Sequence, residues 1–222
     1  MSEDAHDPLP VSPVVGGGGS VGRACGARRC DTLRSMTAIS RLRMSADEYL
    51  VREAGAEEKS ILWDGEVYAM AGALPEHNFI VANALAELHQ LTRRGPCRVA
   101  ASDLKVYVPS RDGFVYPDAS VVCGALEFYG RTRDVITNPT LLLEVLSEGT
   151  ESFDRGEKAS GYRAIPSLQH HVLVSQTERH VEVFTRQTGG GWLLREYRGS
   201  EEAPIDALGG VLRLDELYLK VI

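Results

Sequence analysis

The stretch Thr140-Leu141-Leu142-Leu143-Glu144-Val145-Leu146 sets one carboxylate inside an otherwise apolar strand, with Leu142 and Leu146 as its same-face neighbours. Burying an unpaired carboxylate costs several kcal/mol, so the strand calls for a cation opposite Glu144, either a metal ion or a lysine. An arginine at the strand end is the plainer alternative for this residue taken alone. Tyr116-Pro117-Asp118 supplies a second acid where proline removes a ladder donor, so the strand bends or lies at an edge and aims Asp118 into a cleft. Backbone N–H groups of a turn or bulge would satisfy Asp118 equally well in isolation. The third element is Asp154, Lys158 and Tyr162, which recur at intervals of four and share one helical face. A surface Asp–Lys pair has the same spacing and is worth only a few tenths of a kcal/mol. However, Gly156 and Gly161 each cost such a short helix up to about 1 kcal/mol, which points to close backbone approach.

Two carboxylates and a lysine form a set suited to phosphodiester hydrolysis. Magnesium takes one or two protein carboxylates and keeps positions open for water and a phosphate oxygen. The metal lowers the pKa of its bound water, while a lysine orients that water or offsets charge on phosphorus. The expectation is that Asp118 and Glu144 bind Mg2+ (or Mn2+), that Lys158 assists the water attack, and that Tyr162 positions the phosphate or the lysine.

The elements that must position these residues read as follows. Ser45, three residues before Glu48, opens a short helix with a capping box. Residues 61–70 form a hairpin turning at Asp64-Gly65. A long helix spans 75–94, with Ile80, Ala84, Leu88 and Leu91 on one face, and Gly95-Pro96 ends it. Strands follow at 99–108, 114–122 and 141–146, the last buried on both faces. A helix over 152–163 stops before Pro166 and packs Lys158 over the end of the Glu144 strand. Three further strands lie at 171–175, 181–185 and 192–197. The fold class is α/β, a mixed β-sheet flanked by helices.

At the residues quoted above, the sequence resembles the Uma-two family, a branch of the PD-(D/E)XK nuclease superfamily with a restriction-endonuclease-like core. The resemblance runs from about Met44 to Ile222. It is carried by Asp64-Gly65-Glu66-Val67-Tyr68-Ala69-Met70, His77, Tyr116-Pro117-Asp118, Asn138-Pro139-Thr140 leading into Glu144-Val145-Leu146-Ser147, and Asp154-Arg155-Gly156-Glu157-Lys158 with Tyr162. It implies that Asp118 is the motif aspartate, Glu144 the motif acid, and the Val145 carbonyl a further metal ligand. The usual lysine two residues after the acid is replaced by Leu146, and the resemblance assigns its role to Lys158. Relatives often carry a glutamate three residues before the hairpin aspartate, where this chain has Ile61. Glu58 or Glu66 can substitute, whereas loss of that acid would weaken metal binding. Asp103 matches a recurrent acidic position and reads as a supporting residue, as do Asp154, Tyr162, Glu66 and His77. His77 reads as a cap or core histidine before a catalytic one.

Composition narrows the classes. The chain has 222 residues and a formal net charge of -7, so any grip on nucleic acid must be local. A rim of Arg93, Arg94, Arg131, Arg133, Arg155 and Arg163 is the local source. The four cysteines Cys25, Cys30, Cys97 and Cys123 have neither zinc spacing nor a disulfide pattern and read as reduced thiols. No apolar run is long enough to span a bilayer and no secretory h-region is present, which points to the cytoplasm and away from membranes. Residues 1–35, rich in Gly, Pro and Ser, read as a disordered tail ahead of one nuclease-like domain over 44–222. Met36 or Met44 is an alternative start. The functional expectation is a metal-dependent endonuclease acting on DNA. An inactive nuclease-fold module binding nucleic acid or a partner protein, and a hydrolase of other phosphate esters, are the alternatives. A homodimer is suggested by analogy with restriction enzymes.

Overall fold

The computed structural model describes residues 38–70 and 72–222, with side chains from residue 43 onward. The expected tail, the alternative start at Met36, and Cys25 and Cys30 lie outside the described residues.

Strand β1 (Ala38–Arg43) leads into α1 (Ala46–Glu53), which Ser45 caps reciprocally with Glu48 as the capping box predicts. Strands β2 (Ser60–Trp63) and β3 (Glu66–Ala69) form the expected hairpin. Its turn residues Asp64 and Gly65 have φ of 50° and 78°, the pairing that a tight two-residue turn requires. Helix α2 (Pro75–Thr92) buries Ile80, Ala84 and Leu88.

The expected strand over 99–108 is two strands, β4 (Cys97–Ala101) and β5 (Lys105–Val108), and they belong to different sheets. The expected strand over 114–122 divides likewise into β6 (Gly113–Val115) and β7 (Ala119–Cys123), with Pro117 at the break. Next come β8 (Val135–Ile136), β9 (Leu141–Leu146), β10 (His170–Ser175), β11 (His180–Arg186) and β12 (Trp192–Arg198). Between β9 and β10 runs a helical segment, α3: an α-helical turn Glu151–Phe153, a π-helical stretch Asp154–Lys158, and a second α-helical piece Ala159–Arg163. Strands β13 (Glu202–Ile205) and β14 (Gly210–Arg213) make a hairpin, and α4 (Leu214–Leu217) follows.

The α/β fold therefore holds, with two mixed six-stranded sheets in place of one. Their orders are β1-β3-β2-β6-β5-β8 and β12-β11-β10-β9-β7-β4. Alternation along β9 splits the core. Leu141, Leu143 and Val145 join α2 and the C-terminal hairpin on one face, and Leu142 faces Trp63, Phe153 and Tyr162 on the other. The chain crosses between sheets at Tyr116-Pro117-Asp118, so the proline break sits beside the strand that carries Glu144.

The expectation of reduced thiols is corrected for one pair. Cys97 and Cys123 are directly opposed across β4 and β7 and are joined by a disulfide. Their separation of 26 residues concealed this, because only the antiparallel register brings them together. Among the described residues no helix is long and apolar enough to cross a membrane.

Candidate active site

Strand β9 runs between β7 and β10. Pairing with β10 continues to Leu146, whereas pairing with β7 ends at Ala119 opposite Leu143. Pro117 has no N–H with which to extend the ladder. The Val145 N–H is freed on that side, and Asp118 Oδ2 accepts it at 2.8 Å. In an extended strand a residue's N–H and C=O point the same way, so the Val145 carbonyl faces this gap too. Asp118 Oδ1 lies 3.2 Å from Nε2 of His77, in the first turn of α2.

Glu144 projects from the opposite strand face to Val145, toward α3. Lys158 Nζ is 2.8 Å from Glu144 Oε1 and 3.0 Å from Asp154 Oδ1, and these side chains are only 5–10% exposed. The Tyr162 hydroxyl donates to the same Glu144 oxygen at 2.6 Å. Asp154, Lys158 and Tyr162 thus share the face that their spacing predicts. Trp63 holds the neighbouring face: its ring meets Phe153 edge-on at 5.2 Å, and its indole N–H donates to Glu157 at 3.2 Å. A Cβ on Gly161 would stand 2.7 Å from the same indole, so this glycine permits the close approach; around Gly156 nothing lies within 4 Å, and no packing reason for it is present.

Burial pushes the Glu144 carboxyl up to about 8 against the pull of Lys158, and Asp154 and Asp118 add to the rise. Burial works to lower Lys158, but Asp154 and Glu144 outweigh it and hold the ammonium above its ordinary range. These two shifts compete for one ion pair. Asp154 pairs with Lys158 independently of Glu144 and helps to hold the ammonium charged.

Asp154 and Glu144 thus contact one buried ammonium, and Asp118 lies near enough to act on its charge. A divalent cation would be drawn to these carboxylates. No three His, Cys, Asp or Glu side chains among the described residues converge as a metal cage. Magnesium needs fewer: one or two carboxylates, a carbonyl and waters suffice. Asp118 and Glu144 supply that number of carboxylates, and the Val145 carbonyl on the gap side is a further oxygen.

The structure does not bring every expected residue here. Asp103 lies in the loop between β4 and β5, is largely exposed and pairs with Lys59. Glu66 sits in the first sheet, where it accepts from the Tyr68 hydroxyl at 2.8 Å and faces Arg43 at 3.4 Å. Neither is joined to Asp118, Glu144 or Lys158 by a hydrogen bond or ion pair among the described residues. The expected rim is also reduced. Arg155 is taken by Glu151 and Glu182, and Arg163 lies over the Phe184 ring with Nη1 buried and without a partner. Sequence reasoning missed Glu182 in Val181-Glu182-Val183, another acid on an alternating apolar strand, although the signal was the one that exposed Glu144.

Known proteins resemble this chain in family and in fold. Residues 46–215 match the model of the Uma2 family, described as "Putative restriction endonuclease". Two curated relatives come from Synechocystis sp. (strain ATCC 27184 / PCC 6803 / Kazusa). "Uncharacterized protein slr1290" is 32% identical over 79% of this chain and 92% of its own length. "Uncharacterized protein sll1609" is 34% identical over 73% and 92%. The crystal structure of "a putative nuclease belonging to DUF820" from Anabaena variabilis superposes with a TM-score of 0.65 at 16% identity, covering 81% of this chain and 99% of that one.

Proposed function

The chain belongs to the Uma2 family, and from that premise we propose that it is a divalent-metal-dependent endonuclease that hydrolyses DNA phosphodiester bonds in the cytoplasm. The observation that carries this reading is Lys158, whose ammonium lies within 3.0 Å of both Glu144 and Asp154 beside the strand gap that Asp118 fills.

Asp118, Glu144 and the Val145 carbonyl would hold Mg2+ or Mn2+, which supplies Lewis acidity toward a phosphate oxygen and acidifies a bound water. Asp154 anchors the Lys158 ammonium, so the lysine can donate to the attacking water and offset charge gathering on phosphorus without reorganising. Tyr162 donates to Glu144 Oε1 and so leaves Oε2 as the carboxylate oxygen for the ion. The apolar packing around Trp63, Phe153 and Tyr162 excludes water from the lysine's far side.

Nicking of supercoiled plasmid in Mg2+ or Mn2+ tests the assignment. Wild type is expected to cut, and Asp118→Ala, Glu144→Ala and Lys158→Ala to lose the activity. Cutting that persists in the Asp118 or Glu144 variant refutes it. One observation favours a non-catalytic nuclease-fold module instead: Ile61, at the position where relatives often carry glutamate, is buried among Trp63, Tyr68 and Tyr162. Calorimetry that finds no Mg2+ or Mn2+ affinity selects that module.

A further inference from the structure

We propose that His77 is a positioning residue whose Nε2–H fixes the Asp118 carboxylate in the orientation that receives the divalent ion. This rests on the metal-dependent reading above. A carboxylate held by the Val145 N–H alone can swing about that single bond. A second donor, from a different element, fixes the plane of the group and so decides which lone pairs face outward.

His77 suits that task because its own position is fixed. It stands in the first turn of the 18-residue helix α2, whose Ile80, Ala84 and Leu88 are fully buried in the larger core. The neighbouring roles open to it do not account for the contact. The N-cap of α2 is Leu74, with no side-chain cap, so the imidazole does not close the helix end. Nor is it a satisfied core histidine, because Nδ1 is buried without a hydrogen-bond partner. Leaving a polar atom unmet in this way costs about 1–3 kcal/mol. The tautomer follows from Asp118, which accepts from Val145 and, as a carboxylate, has only acceptors to offer: the proton is on Nε2, 3.2 Å from Oδ1. A histidine that bears an unpaired nitrogen while serving an acid two oxygens deep in contacts is placed for that acid. Partners of metal ligands typically contribute about 10–100-fold in metal affinity.

The test is Mn2+ calorimetry on the full chain, with thermal unfolding of the metal-free protein alongside. His77→Leu keeps bulk and removes the donor; His77→Gln keeps a terminal N–H within reach. Wild type is expected to bind Mn2+ and Asp118→Ala to lose it. His77→Leu should bind about 10–100-fold more weakly with its metal-free Tm unchanged or raised, and His77→Gln should recover to within a few-fold of wild type. Loss in Asp118→Ala with undiminished binding in His77→Leu overturns the role of His77 alone. Equal weakening in the Leu and Gln variants overturns it as well, because the donor is then not what matters. A wild type that binds no Mn2+ removes this proposal together with the nuclease reading.

Discussion

Glu144 on β9 and Glu182 on β11 flank Leu173 in one row across the second sheet. Each is a buried acid in an apolar strand, and each meets a cation from the π-helical part of α3, Lys158 for the first and Arg155 for the second. Their surroundings differ. Arg155 is a third exposed and is shared with Glu151 at the helix surface, 2.6 Å away. Lys158 is enclosed, with Asp154 on one side, Glu144 on the other and Asp118 close enough to raise its ammonium further. An acid in a strand with a cation opposite is therefore not in itself a site. What sets Glu144 apart is the number of carboxylates around one enclosed ammonium, beside a strand gap where Asp118 accepts the Val145 N–H.

The contrast is most sharply tested by removing the cations. Lys158→Met strands two buried acids and should lower the unfolding free energy of the metal-free protein by about 3–5 kcal/mol. Arg155→Met removes a cation that is itself a third exposed, and should cost less, about 1–2 kcal/mol. Urea unfolding measures both, and equal costs would erase the distinction.

A smaller effect separates the two glycines of α3. Gly161→Ala drives a methyl into the Trp63 indole and Val108 and should cost about 1–3 kcal/mol. Gly156→Ala meets open space and should stay within about 1 kcal/mol of wild type, on the stabilising side. A Gly161→Ala variant as stable as wild type would show that Trp63 does not set the position of this helix.

The smallest effects are slopes with pH. His171, next to Tyr162, is held down to about 3 by burial, with Arg163 and Lys158 adding to the fall from the ordinary 6.5. Its folded pKa lies below the unfolded one, so the unfolded chain takes the proton first. Its contribution is complete above 6.5 and is lost as pH falls toward 3. His171→Phe should flatten that loss in acid unfolding. Glu144 behaves in the opposite sense: its folded value of about 8 exceeds the ordinary 4.5, so its contribution is complete below 4.5 and is lost as pH rises through 8. Relative to Glu144→Gln, wild type measured without metal should therefore lose stability over that window.

Much of the site was legible because it depends on local patterns. The isolated acid in β9, the fourfold spacing of Asp154, Lys158 and Tyr162, the Ser45 capping box and the Asp64-Gly65 turn all follow from period and residue type. What depends on register or on choice of sheet was not legible. Residues 99–108 and 114–122 are continuous in β-forming character, yet each crosses between sheets, and only Pro117 announced one of the breaks. The Cys97–Cys123 bond, the reach of His77 to Asp118 and the grip of Trp63 on α3 join residues that are far apart in the chain. Asp103 resembled a site acid by its place in the sequence, but the crossing after β4 leaves it in a surface loop with Lys59.

The most direct measurement is plasmid nicking in Mg2+ by Glu144→Gln and Glu182→Gln side by side. Each variant keeps the shape of its side chain and removes one carboxyl group from the same row of the same sheet. If Glu144 holds the ion as proposed, its loss removes several kcal/mol of transition-state stabilisation, and Glu144→Gln should nick about 1,000-fold more slowly than wild type or not at all. Glu182→Gln should remain within about tenfold of wild type, since Glu182 pairs with Arg155 and not with Lys158. Nicking by Glu144→Gln at the rate of Glu182→Gln would contradict the account.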